Sequence, residues 1–213
     1  MNAAELYKLI EEGEGAAIEF KRKFSSPKKI AKEMIAFANS KGGSILFGVD
    51  DNRKIVGIES EKSELELIDT AARFFCEPEI HYRTEIVPIK NSDVVVIQIP
   101  ESKTKPHKLI DDGDKDTSRV YIRYNDKSVI ASKETVNLLK HSYNNDTPLV
   151  ISLGDNEKAL LTFLEENGQI TVKGFKKLAN ISERRASRLL VNLVRAGVIR
   201  HHRINNSEFF TLI

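Results

Sequence analysis

I-A-F-A-N-S-K-G-G-S-I-L-F-G-V-D-D, running from Ile35 to Asp51, packs a helix end, a sharp exit, a buried strand and a turn into one short stretch. Upstream, Pro27 is a favourable first-turn residue, and Ala31, Met34, Ile35 and Ala38 follow the i, i+3, i+4, i+7 spacing of one helix face. Asn39 is placed to cap or bond the turn, and Gly42-Gly43 permit the positive φ of a helix exit. Ser44–Val49 is a continuous apolar run, which predicts a strand buried on both faces, and Gly48 near its end allows close backbone approach. Asp50–Arg53 then turns, and Lys54–Ile58 is expected to return as the hairpin partner.

Working outward, a helix is expected near Ala3–Glu11 and a strand over Ala16–Lys21. Glu61–Cys76 is expected to be helical, with Leu65, Ile68, Ala72 and Phe75 on one face. Strands follow over Ile80–Ile89, Val94–Ile99 and Val120–Tyr124, with a short one at His107–Ile110 and a helix at Ser132–His141. Asp111–Ser118 has the composition of a solvated loop. Asn144–Pro148, N-N-D-T-P, is linker chemistry and places a boundary between residues 1–146 and 147–213.

The second segment has three helical patterns and a terminal hairpin. Asp155–Asn167 carries Leu160 and Leu164 inward, Thr171 caps Val172–Ala179, and Ser182 caps Glu183–Ala196. In that last helix Ala186, Leu189, Leu190, Leu193 and Val194 form the apolar stripe. Arg184, Arg188, Asn192 and Arg195 lie opposite, with Arg185 and Ser187 at the first-turn edge. Val198–Ile204 and Glu208–Ile213 flank Asn205-Asn206, a type I′ turn pattern. This order, with L-A-N-I-S-E-R-R-A-S-R-L-L-V-N-L-V-R-A-G-V-I at Leu178–Ile199, resembles a winged helix-turn-helix. A recognition helix needs an apolar face on its domain and a basic face for the major groove. The resemblance implies base or phosphate contacts by Arg184, Arg185, Ser187, Arg188 and Arg195, with Arg200 and Arg203 on the wing. Use as a protein-interaction module is the alternative for such a segment.

Charge agrees with a basic C-terminal part. The 213 residues carry a net +2; from Leu149 onward ten Lys and Arg face six Asp and Glu, leaving 23 against 25 in the remainder. The single cysteine, Cys76, excludes an internal disulfide and a Cys-cluster zinc site, and its apolar neighbours predict a buried thiol. Met1–Leu9 lacks the apolar core of a signal peptide and no run is long enough to span a membrane, so a cytoplasmic location and no membrane partner are expected.

Three fragments carry a second resemblance: I-E-F-K at Ile18–Lys21, the Ile35–Asp51 stretch followed by I-V-G-I at Ile55–Ile58, and V-Y-I-R-Y at Val120–Tyr124. In this order they resemble the AlbA_2 domain of Schlafen proteins and many bacterial regulators, over roughly Glu5–Ser142. The resemblance implies two functional classes. One is DNA binding in transcriptional regulation, without cofactor. The other is RNA or DNA cleavage by two glutamates and an aspartate, which maps onto Glu14, Glu19 and Asp50 or Asp51; such carboxylates suit Mg²⁺ or Mn²⁺. Lys21, Lys23 and Arg123 are the basic residues of this segment singled out for phosphate contact, beside further lysines at Lys28, Lys29, Lys32, Lys103 and Lys105. No G-x-x-x-x-G-K-[ST] phosphate loop is present.

The expectation is thus an α+β chain: a mixed AlbA_2/Schlafen-like N-terminal domain and a C-terminal winged helix-turn-helix. Its expected partner is double-stranded DNA, with RNA as a second candidate, and a homodimer matches one recognition helix per half-site. A metal-dependent hydrolase and a non-catalytic interaction module are the alternatives.

Overall fold

The computed structural model describes residues 1–110, 119–141, 153–205 and 207–213. The expected loop at Asp111–Ser118, the expected linker at Asn144–Pro148 and Asn206 of the terminal turn lie outside them. The chain divides into two units, Met1–Ser132 and Lys133–Ile213. Among the described residues, no helix is long and apolar enough to cross a membrane.

The first unit opens with α1 (Ala3–Glu12), started by a capping box in which Asn2 and Glu5 satisfy each other's backbone amides. Then come β1 (Ile18–Lys21), α2 (Pro27–Asn39), capped by Ser26, and β2 (Gly43–Phe47). α3 (Glu61–Phe74), β3 (Cys76–Glu77), β4 (Arg83–Ile89) and β5 (Ser92–Ile99) follow, then β6 (Lys108–Leu109), β7 (Tyr121–Tyr124) and β8 (Lys127–Ile130). The main sheet has the order β1-β2-β5-β4; β1 and β2 are parallel and the other pairs antiparallel. Side chains alternate across it. Ile45, Phe47, Val95 and Ile97 join the core under α2 and α3, whereas Leu46, Val94 and Val96 join Leu6 and Ile10 of α1 on the other face. Cover on both faces is why Ser44–Val49 reads as an unbroken apolar run.

Two glycines make the exit from α2 possible. Gly42 has φ +78, and a Cβ there would stand 2.6 Å from the Ile99 carbonyl; at Gly43 it would stand 2.7 Å from the Ala17 carbonyl and run into the Phe37 ring. The expected hairpin partner at Lys54–Ile58 does not form a strand; only the Val49–Ile55 bridge remains. Gly48 (φ +94) instead crosses Gly57, and its carbonyl accepts from Val56 N (2.8 Å) and Gly57 N (3.0 Å), which bends the return away from a ladder. The other expected strands and helices form with shifted ends, α1 and β5 running longer than expected and β1, α3 and β4 shorter, while β3 and β8 are additions to the expected set. Cys76 is buried, and burial pushes its thiol up to about 12.

Asn39 is 2% exposed, so it is a core residue and not an external cap. Its Nδ2 donates to the carbonyls of His107 (2.8 Å) and Tyr121 (2.9 Å), and its Oδ1 accepts from His107 N (2.8 Å). His107 is buried too. The Pro78 carbonyl, 2.7 Å from its Nδ1, can only accept, so Nδ1 carries the proton and Nε2 accepts from the Ser102 hydroxyl at 2.6 Å. The network closes the buried polar groups between α2 and the loop before β6.

The second unit contains α4 (Lys133–His141), α5 (Asp155–Asn167), α6 (Val172–Leu178), α7 (Glu183–Arg195), β9 (Ile199–Ile204) and β10 (Ser207–Leu212). Thr171 and Ser182 cap α6 and α7 through their hydroxyls. Leu160, Leu164, Phe175, Ala186, Leu190, Leu193 and Phe210 form its core, and the Ile170–Phe210 bridge ties the segment before α6 to the hairpin.

Burial, reinforced by the His81 and Lys105 charges and only partly offset by the Pro78 carbonyl, holds the His107 imidazole below its ordinary 6.5. The unfolded chain therefore takes up a proton in a pH range where the folded one does not, and stability falls as pH drops below 6.5 until the lower folded-state value is passed. Urea denaturation across this range should show that loss in the parent chain, and His107→Gln should remove that component of the pH dependence.

Candidate nucleic-acid interface

In the first unit the implied acidic trio is not a cluster. Glu14 Oε1 accepts from the Phe20 amide at 2.8 Å, and Asp50 Oδ1 accepts from Asn52 N (3.0 Å) and Lys54 N (2.9 Å), the pattern of an Asx turn. Glu19 is 8% exposed and ion-paired with Lys21 and with Arg123. Among the described residues no three His, Cys, Asp or Glu side chains form a group that could hold a metal ion. The residues present therefore do not fit the Mg²⁺ or Mn²⁺ of the hydrolase alternative.

Arg123 explains where Glu19 is spent. Its side chain is 2% exposed. Nη1 donates to Glu19 Oε2 (2.9 Å), Glu33 Oε2 (3.2 Å) and Ser128 Oγ (3.2 Å), Nη2 donates to the Gly15 carbonyl (2.5 Å), and the guanidinium lies 4.6 Å from the Phe37 ring centre. Instead of reaching phosphate, as the sequence leads one to expect, Arg123 is a buried tie between β1, α2 and the β7–β8 hairpin. A sign of this is legible along β7, because Arg123 lies two residues from Tyr121 and shares its buried face. Lys21 is corrected likewise: its ammonium is held by Glu19 and, at 3.0 Å, by the Phe20 carbonyl. Lys105 is committed to the Ser40 carbonyl (3.0 Å) and Glu101 (2.5 Å), and Lys32 lies 5.6 Å from the Tyr121 ring centre. Arg22, Lys23, Lys29 and Lys103 remain exposed.

The second unit keeps more of its expected cations accessible. Arg184, Arg185 and Arg188 are exposed on the first two turns of α7, where the Ser182 cap fixes the helix start. None of the three has a carboxylate partner among the described residues. Arg195 is half-buried in the last turn. On the hairpin, Arg200 is exposed, while Arg203 Nη1 pairs with Glu208 Oε1 at 3.3 Å. His201 and His202 point to opposite sides: one meets Glu208 Oε2 (3.1 Å), the other Thr211 Oγ1 (2.9 Å) while stacking on Phe209.

Ser187 departs from the expectation. Helix α4 packs against α7, and the Ser187 hydroxyl donates to Glu134 Oε1 at 2.6 Å. Val191, one turn on, is 4% exposed although it lies outside the core stripe. That apolar residue on the polar side is the sequence's one sign of a covering element. A cleft of about 650 Å³ runs between the two helices. Its His141 is held below the ordinary imidazole value by burial first, then by the Arg195 and Lys140 charges.

The family model described as Schlafen, AlbA_2 matches residues 14–132. The structure of the DIP2311 protein from Corynebacterium diphtheriae is similar at a TM-score of 0.50 and 14% identity, over 92% of this chain and 36% of that one. The N-terminal domain of a putative ATP-dependent DNA helicase RecG-related protein from Nitrosomonas europaea matches at a TM-score of 0.41 and 20% identity, over 59% of this chain and 94% of that one. The chain thus spans about a third of the length of the Corynebacterium chain, with which it shares a fold.

Removing Arg123 takes the buried cation from between two mostly buried carboxylates, leaving Glu19 only Lys21, and Glu33 only Ser128 and Lys32, as partners among the described residues. Arg123→Ala should cost about 3–5 kcal/mol, the usual penalty for breaking a buried pair from one side, and Arg123→Lys should recover only part of it. Denaturant unfolding of the three proteins, with Lys23→Ala as a surface control near zero, checks this.

Proposed function

We propose that this chain, which belongs to the Schlafen AlbA_2 family, is a nucleic-acid-binding protein, and that it acts as a DNA-binding regulator through a winged helix in its C-terminal unit. One observation carries the proposal: three arginines on consecutive turns, Arg184, Arg185 and Arg188, stand exposed on α7 with no carboxylate partner among the described residues. Arginines left in that state on a helix that opens with a serine cap are suited to phosphate oxygens and guanine edges. The order α5-α6-α7 followed by the β9–β10 hairpin supports the winged-helix assignment, with α7 as recognition helix.

Helix α4 restricts which side of α7 meets DNA. It occupies the flank of Ser187 and Val191, and Arg188 and Asn192 border the cleft on that side, so the strip left open to a duplex is led by Arg185, with Arg200 on the hairpin as a further exposed cation. Ser187 is replaced in this role by its neighbours. The proposal includes a second copy of the chain, because one recognition helix covers a half-site. Exposed Lys23 in the family domain adds a backbone contact that carries no sequence information.

Fluorescence anisotropy with mixed-sequence duplex DNA, titrated over about 50–200 mM salt, tests this. The parent chain should bind with a steep negative salt slope. Replacing Arg185 and Arg200 by alanine should weaken binding and make the slope shallower by about two, one for each phosphate no longer neutralised. Salt-independent binding, or a double variant indistinguishable from the parent, would overturn the assignment of this surface.

A further inference from the structure

The cleft between α4 and α7 has a composition that duplex binding does not call for. We propose that it is a binding site for a phosphate ester the size of a nucleoside monophosphate.

Charge is the first ground. Lys133, Arg184 and Arg188 line the cleft, and none of them has a carboxylate partner among the described residues. Two carboxylates also line it: Glu134, which accepts from Ser187 Oγ at 2.6 Å within the cleft, and Glu183, which pairs with Lys176 at 3.7 Å. The lining therefore carries three cations against two carboxylates, and since Glu183 already has Lys176 as its partner outside the cleft, the balance facing a ligand is positive. Two guanidinium groups one helical turn apart offer paired N–H donors that match the oxygens of a phosphate.

Size and shape are the second ground. At about 650 Å³ the cleft is far larger than one phosphate group and lies within the roughly 300–1,000 Å³ of small-molecule sites. Asn137 on α4 and Asn192 on α7 place amide groups at the cleft, each with donors and an acceptor for a sugar or base edge, and Val191 supplies an apolar floor. Helices wall the site on both sides. A duplex meets the outer surface of a recognition helix, so a ligand held here is a single nucleotide unit. That unit has two sources, a free nucleotide or one residue of a single-stranded nucleic acid, and both bring the same phosphate chemistry.

Isothermal titration of the full chain separates them. The probes are the four nucleoside 5′-monophosphates, the matching unphosphorylated nucleosides, inorganic phosphate and a single-stranded DNA of about eight nucleotides, within the usual span of a single-strand site. At least one monophosphate should bind, and its nucleoside should not. Arg184→Ala should reduce that affinity by about tenfold or more, the scale of one missing charge-assisted hydrogen bond. Asn137→Trp, which fills the cleft and removes no charge, should abolish binding without lowering the melting temperature. Competition between the oligonucleotide and the monophosphate assigns the site to a strand residue; absence of competition assigns it to a free nucleotide, and either outcome supports the site. Binding of none of the monophosphates, binding of inorganic phosphate alone, or binding untouched by both variants would overturn it. The Asn137→Trp protein should still bind duplex DNA through Arg185 and Arg200, so loss of this site and failure of the duplex assignment give different results.

Discussion

One buried guanidinium organises the first unit. Arg123 reaches β1 through Glu19, α2 through Glu33 and Phe37, the β8 strand through Ser128, and the turn before β1 through the Gly15 carbonyl. A charge in that position is tolerable only because oxygen acceptors surround it, and those acceptors are tolerable only because the charge is there. This mutual dependence sets what the surrounding residues can do. Glu19 cannot serve as an exposed acid while it neutralises Arg123, and Lys21 cannot contact phosphate while it shares Glu19. The side chains that look most chemical in the family motif are thereby turned into structural members.

The Asn39–His107 network does for the neutral polar groups what Arg123 does for the charges. One amide side chain satisfies two carbonyls and one N–H that would otherwise be buried without partners. Both networks converge on α2 from elements far away in the chain. The glycines at the α2 exit let β2 start at once beneath them, which holds the whole arrangement close to the sheet.

In the second unit the balance of charges runs the other way. The arginines on the first two turns of α7 are left without carboxylate partners among the described residues; of the acidic groups nearby, Glu183 pairs with Lys176 and Glu134 accepts from the Ser187 hydroxyl. Arg184, Arg185, Arg188 and Arg200 stay exposed on this helix and its hairpin, while Lys21, Lys105 and Arg123 of the first unit are bound to carboxylates or carbonyls. The position of α4 then divides α7 into an open strip and a cleft, two surfaces of different shape built from adjacent residues.

Local sequence determined the elements whose cause is local. The spacing of Ala31, Met34, Ile35 and Ala38 specifies α2, the Ser182 cap and apolar stripe specify α7, and the unbroken Ser44–Val49 run specifies a central strand. Periodicity and capping act over a few residues, so they can be read there. Partnership was decided by tertiary structure. Arg123 and Glu33 are ninety residues apart, Asn39 and His107 sixty-eight, and Ser187 and Glu134 fifty-three. Whether a charged side chain meets solvent, a carboxylate or a covering helix depends on which distant element packs beside it, and periodicity along one element carries no information about that. Exposed arginine on α7 and buried arginine on β7 look alike as letters; the folded chain makes one a candidate contact for nucleic acid and the other the tie that holds the sheet to its helix.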